Sequence, residues 1–115
     1  MLNTVALVGR LTRDPELRET GSGRPVCDLR LAVDARGEEP ACFVDVVCFD
    51  AGAQACQQYL TKGRLVAVDG RLVLDEWTTS EGEKRSRHKV IGQVKFLPDG
   101  TRPDRQEVPD QPAAA

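Results

Sequence analysis

Hydrophobic and polar residues alternate along much of this chain. In an extended strand, successive side chains point to opposite faces. In Phe43-Val44-Asp45-Val46-Val47-Cys48-Phe49, one face carries Val44, Val46 and Cys48. The other carries Phe43, Asp45, Val47 and Phe49. An unpaired carboxylate is costly to bury, so Asp45 marks the solvent side and draws both phenylalanines onto it. Over residues 64–77 the same test turns Val66, Val68, Leu72 and Leu74 inward and Asp69, Arg71, Asp75 and Trp77 outward. A bulge at Gly70 would reverse the parity of Trp77.

The pattern predicts five strands, over residues 5–11, 26–35, 41–49, 65–78 and 85–97. In the second, Cys27, Leu29, Leu31 and Val33 face in, while Asp28 and Arg30 face out. Residues 12–18 read as a turn in which Pro15 blocks strand continuation. Residues 21–25 form a second breaker cluster, residues 36–40 a short hairpin loop, and Gly92 a bend in the fifth strand. Between the third and fourth strands, residues 51–62 read as a helix with Asp50 as its cap. Ala53, Cys56 and Leu60 recur at helical spacing as its buried stripe. Lys62 suits its negative end and Gly63 a left-handed stop. Tyr59 is assigned to packing the helix on the sheet. Residues 98–115, with Pro98, Pro103, Pro109 and Pro112 and little apolar bulk, read as a disordered tail. That leaves one domain over residues 1–97. Three strands, a helix and two strands make the all-β arrangement of an OB-fold, a five-stranded Greek-key barrel with one helix between strands three and four.

Composition narrows the function classes. The 115 residues are 40% apolar and 30% charged, which suits one globular domain with a real core. No apolar run approaches the roughly 20 residues needed to span a bilayer. The N-terminus lacks the basic and apolar regions of a signal peptide, so a cytosolic location is expected. The net charge is −2. Residues 1–97 hold 14 basic and 14 acidic residues, so any anion-binding groove must come from placement, not from total charge. The four cysteines, Cys27, Cys42, Cys48 and Cys56, include no C-x-x-C pair, and the single His88 stands apart, so no zinc site or other metal is expected. Cys27 and Cys48 read as core residues by parity, and Cys42 as the exposed thiol. A cytosolic setting disfavours disulfides among the four. No nucleophile motif or phosphate-binding loop is present, so neither an enzyme nor a cofactor is expected.

The chain has only five aromatic residues. Three of them, Phe43, Phe49 and Trp77, fall on wet, charged strand faces, a placement that suits stacking on nucleic-acid bases. Isolated exposed aromatics are also common, and packing under a loop or contact with another subunit would equally account for them.

Several segments in order resemble bacterial single-stranded DNA-binding proteins. They are residues 3–18, including Asp14-Pro15-Glu16, then Leu29-Arg30-Leu31-Ala32-Val33, Phe43 through Phe49, Tyr59-Leu60-Thr61-Lys62-Gly63, Val68-Asp69-Gly70-Arg71-Leu72, and Trp77. The resemblance covers about residues 1–97. It implies an OB-fold that binds single-stranded DNA without strict sequence preference, as a homotetramer, in DNA replication, recombination or repair, in the cytoplasm with the nucleoid. By position it assigns base stacking to Phe43, Phe49 and Trp77, and phosphate contacts to Arg18, Lys62 and Arg85. Arg10, Arg30 and Arg71 are outward by parity and join them as weaker candidates.

The chain departs from the family in three places. The loop over residues 36–40 is short, where many relatives have a longer one with a further stacking tryptophan nearby. Val73, Asp75 and Glu76 precede Trp77, where relatives often carry basic residues. Residues 111–115 end the sequence without the acidic, hydrophobic tip that recruits repair and replication enzymes, so such recruitment is not expected of a full-length chain, which reads as a short paralogue or else as a truncated form. Two rivals stay open on the residues alone: an OB-fold module for RNA or a protein partner, and an oligomeric domain whose aromatics lie in subunit contacts.

Overall fold

A computed structural model describes residues 1–34 and 36–98. Its elements are β1 (Val5–Leu11), β2 (Glu16–Glu19), β3 (Pro25–Val33), β4 (Cys42–Phe49), α1 (Asp50–Tyr59), β5 (Leu65–Thr78) and β6 (Lys84–Phe96). The expected disordered tail lies outside the described residues, except for Pro98, as does Ala35 at the end of the second expected strand.

The strands run in the order β1-β5-β6-β4-β3-β2, and a further β1–β3 pairing closes the first five into a barrel. Every pairing is antiparallel except β4 with β6. This is the OB-fold barrel, with its helix between β4 and β5. The inward faces supply the core: Leu11, Cys27, Leu29, Leu31, Val46, Cys48, Val66, Val68 and Val90, plugged by Ala53, Cys56 and Leu60 at the helix.

Residues 12–18, read as a turn from the sequence, contain the separate strand β2. β1 and β2 both pair with β3, at Leu31–Ala32 and at Pro25–Asp28 respectively. They are two parts of one interrupted ladder. Thr12 continues it by donating its N–H to the Arg30 carbonyl at 2.9 Å. Pro15 then interrupts it because it has no N–H to give. Alternation could not reveal β2, since all four of its residues are exposed.

β5 and β6 form a long ribbon in unbroken register from Val66↔Phe96 to Thr78↔Lys84. Gly70 lies opposite Gly92, so the ribbon has no bulge there and the parity of Trp77 stands. A Cβ on Gly70 would overlap the Ile91 carbonyl oxygen and come within 2.6 Å of Gly92 Cα. The pair of glycines is what allows the two backbones this approach.

Leu72 and Leu74 share the face of Val66 and Val68, as expected, yet they are exposed rather than buried. The ribbon has left the barrel by that point, and nothing among the described residues covers this face. At the base of the ribbon, the Asn3 side chain bonds both the Leu72 carbonyl and the Leu72 N–H, each at 2.9 Å.

Two expectations for the helix are corrected. Asp50 does not cap it. The N-cap is Phe49, which makes no side-chain cap bond, and Asp50 lies inside the helix with φ of 62°. Its carboxylate is turned to Arg24 instead. The helix also ends earlier, at Tyr59. Gly63 is left-handed, with φ of 92°, but it closes the turn from Thr61 into β5, and Lys62 lies in that turn. Tyr59 is 59% exposed. Its ring meets Phe96 edge-on, 6.4 Å between centres, so it packs the helix on the sheet at its margin.

All four cysteines are free, with Cys42 exposed and the others buried. Cys48 Sγ lies 3.6 Å from Cys56 Sγ and 3.9 Å from the Cys27 carbonyl. Contact with Cys48 and burial push the Cys27 thiol far up. Contact with Cys27 draws the Cys48 thiol down, but contact with Cys56 and burial outweigh this and push it up to about 12. Cys27 and Cys48 are therefore core thiols that stay protonated, with Cys56 buried beside them.

Candidate nucleic-acid interface

One outward face runs across five strands. The registers align Glu16 and Arg18 of β2 with Asp28 and Arg30 of β3, then with Phe43, Asp45, Val47 and Phe49 of β4. β6 continues it with Arg85, Arg87, Lys89 and Ile91, and β5 with Arg71, Val73, Asp75 and Trp77. All three aromatics singled out by alternation are on this face. Phe43 is 55% and Trp77 43% exposed, and Phe49 is half-buried. Val47 shares their parity and is buried all the same. It floors a groove of about 250 Å³ lined chiefly by Arg13, Glu16, Arg18, Asp28, Asp75 and Lys89.

Most of the charges on this face are paired. Asp45 is at its centre and uses both oxygens, bonding Arg30 Nη1 at 2.9 Å and facing Arg87 Nη1 at 3.5 Å. Arg18 makes a two-point contact with Asp28, and that hydrogen bonding holds its guanidinium pKa above the usual value against a small opposing effect of burial. Lys89 approaches Asp75 at 3.5 Å, and Arg85 pairs with Glu83 at 2.7 Å. Arg24, in the turn before β3, bonds both oxygens of Asp50 at 2.9 Å. Their hydrogen bonding raises the Arg24 pKa and lowers that of Asp50.

Each aromatic has a guanidinium near its ring: Arg24 at 4.4 Å from the Phe49 centre, Arg30 at 5.5 Å from Phe43 and Arg87 at 5.6 Å from Trp77. These are cation–π distances. Rings and cations alternating over a curved sheet can stack flat, π-faced groups and contact a phosphate backbone between them.

Of the expected cations, Arg18, Arg30, Arg71 and Arg85 share this face with the three rings. Arg10 and Lys62 are gathered elsewhere, at the end of β1. There Arg10 Nη1 bonds the Gly63 carbonyl at 3.0 Å, in the turn that holds the exposed Lys62. Arg24, Arg87 and Lys89 were missed. The run Arg85-Ser86-Arg87-His88-Lys89 carries basic residues at every second position, so strand parity puts the latter two beside Arg85. Arg24 follows a glycine in a turn and has no such periodic signal.

The chain matches the single-strand binding protein family over residues 2–97. It is 44% identical over 101 residues to a single-stranded DNA-binding protein of Wolinella succinogenes, an alignment covering 81% of this chain and 62% of the relative. It is 41% identical over 120 residues to single-stranded DNA-binding protein 1 of Staphylococcus aureus, covering 98% of this chain and 77% of the relative. A single-stranded DNA-binding protein of Helicobacter hepaticus is 38% identical over 117 residues, covering 95% and 68%. The chain thus spans a little under two thirds of the Wolinella relative's length. With its OB-fold barrel and a match over nearly all the described residues, the chain belongs to the single-strand binding protein family.

Proposed function

We propose that the outward face binds single-stranded DNA without strict sequence preference and so protects single strands during DNA replication, recombination or repair. The observation that carries this is the gathering of Phe43, Phe49 and Trp77, three of the chain's five aromatics, on one cation-lined face. The relatives, each a single-stranded DNA-binding protein, support it. Bases stack on the three rings. Arg18, Arg30, Arg71 and Arg85 contact the phosphates between them, and Arg10 and Lys62 extend the track at the end of β1. Each base–aromatic stack is worth about 1–3 kcal/mol. Stacking reads π-faces rather than hydrogen-bonding edges, so it tolerates any sequence. The function is binding, with no catalytic step or cofactor. A DNA-binding role places the protein in the cytoplasm with the nucleoid. Among the described residues, no helix is long and apolar enough to cross a membrane. The test is titration of Trp77 fluorescence with oligo(dT), which quenches if bases stack; no quenching at low salt removes the reading.

A homotetramer is part of the same proposal. One barrel offers a short groove, and joining several raises avidity through effective concentration. β1 pairs with β3 only at Arg10 and Leu11, so its edge over residues 5–8 is open on that side, with Ala6 and Val8 exposed. The uncovered Leu72 and Leu74 add apolar surface on the ribbon.

A further inference from the structure

The rings that would receive bases already have partners, and those partners are themselves held. At Phe49 the guanidinium of Arg24 lies 4.4 Å from the ring centre and is fixed by two 2.9 Å bonds to Asp50. Asp50 adopts a left-handed backbone, φ 62°, that L side chains rarely take, and its carboxylate goes to Arg24 instead of capping the helix. At Phe43 and Trp77, Arg30 and Arg87 are both tied to the one carboxylate of Asp45. Asp45 is the more enclosed member of each of its pairs, with a side chain only 17% exposed. A guanidinium and a base want the same ring face, and a carboxylate and a phosphate want the same guanidinium.

We propose that Asp50 and Asp45 are positioning residues that hold Arg24, Arg30 and Arg87 over the rings, and that a single strand binds by exchange. Its bases replace the guanidinium groups on the rings, and its phosphates replace the carboxylates on the guanidinium groups. This rests on the reading of the face given above and adds Arg24 and Arg87 to its phosphate ligands.

Exchange has a signature of its own. An arginine already neutralised by a carboxylate releases no counterion when a phosphate takes the carboxylate's place, because the vacated carboxylate gathers a cation in turn. Such contacts add affinity without steepening the salt dependence. An arginine with no carboxylate contributes a slope of about −0.7 per phosphate on a single strand. Removing the acid therefore both strengthens binding and steepens the slope.

The experiment is oligo(dT) binding by the full chain at several salt concentrations, for the parent, Asp50→Asn, Asp45→Asn, Arg24→Gln and the double variant Asp50→Asn/Arg24→Gln, each checked for folding by circular dichroism. Asp50→Asn is expected to bind tighter at low salt by up to about fivefold, the range of one exposed ion pair. Its slope is expected to be steeper by about 0.7. Asp45→Asn, which frees two arginines, shows the larger change. The gain from Asp50→Asn disappears in the Arg24→Gln background if it acts through Arg24. Unchanged affinity and slope in both Asn variants, or a gain that persists without Arg24, overturns the exchange while leaving the face as a DNA site. Because Asp50 is exposed, Asp50→Asn remains informative should Asp45→Asn fail to fold. Absence of binding by the parent overturns both readings.

Discussion

The main-chain N–H of Lys62 donates to Oδ1 of Asp14 at 2.8 Å, joining positions 48 apart in sequence. This contact ties the break between β1 and β2 to the turn that leads from the helix into β5. The Gly63 N–H reinforces it by donating to the Leu11 carbonyl at 2.8 Å, and the Leu11 N–H answers to the Arg64 carbonyl at 3.0 Å. Asp14-Pro15-Glu16 and Tyr59-Leu60-Thr61-Lys62-Gly63, two of the segments that carry the family resemblance, are thus two sides of one junction. Asp14→Ala is expected to destabilise the barrel by about 1 kcal/mol, the net worth of one such hydrogen bond. A urea midpoint equal to that of the parent would show the junction to be dispensable.

Phe43→Ala, Phe49→Ala and Trp77→Ala should each weaken oligo(dT) binding by about 1–3 kcal/mol and leave the barrel folded. The losses need not add, because the rings share one strand of DNA. If all three bind as tightly as the parent, the stacking surface is elsewhere. Competition among oligo(dT), oligo(rU) and duplex DNA at two salt concentrations checks the choice of ligand, and equal affinity for RNA would favour the RNA-module alternative.

Gly92→Ala is expected to be far more damaging than its size suggests. A Cβ there overlaps the Asp69 carbonyl oxygen and comes within 2.7 Å of Gly70 Cα, so backbone rather than a flexible side chain must give way. Overpacking of this kind costs typically about 1–3 kcal/mol. Thermal unfolding monitored by circular dichroism reads it, and an unchanged midpoint would mean the ribbon can widen freely.

Only Cys42 should react with a thiol reagent in the native protein, since Cys27, Cys48 and Cys56 are buried. Cys48 also sets a direction for alkaline pH. Its folded pKa is raised from 9.0 to about 12, so the unfolded chain loses that proton first. Stability is therefore whole below pH 9 and falls progressively as pH rises toward 12. Denaturant midpoints measured across that window check the sign, and a midpoint that rises with pH would contradict it.

Light scattering should report an oligomer at micromolar concentration. A lone monomer would exclude the tetramer and leave the open edge of β1 and the exposed Leu72 and Leu74 without a role.

Much of this architecture was legible in the residues. The strand read over residues 65–78 has the observed bounds, and alternation put Phe43, Phe49 and Trp77 on the face they occupy. Alternation fixes which way a side chain points, however, and not whether anything lies above it. Leu72 and Leu74 point as expected but extend past the end of the barrel, while Val47 points outward and is buried under its neighbours. β2 escaped notice because it has no apolar face; its pairing depends on where β3 lies. The helix cap was misread for a similar reason. Asp50 has the chemistry of a cap, but Arg24, 26 positions away, claims its carboxylate. Local pattern carries no information about a partner that only the closed barrel brings near.

The Asn3 carboxamide has a consequence for how the sheet can grow. By taking both the N–H and the carbonyl of Leu72, it fills one pairing position on the edge of β5 with a side chain in place of a strand. Sheet edges recruit strands from other chains wherever such a position stays vacant. A chain shortened past Asn3 would keep its barrel pairings from Val5 onward yet bare that position, beside an uncovered leucine. One side chain, that of Asn3, thus occupies the place on the ribbon's edge that a strand from a neighbour would need.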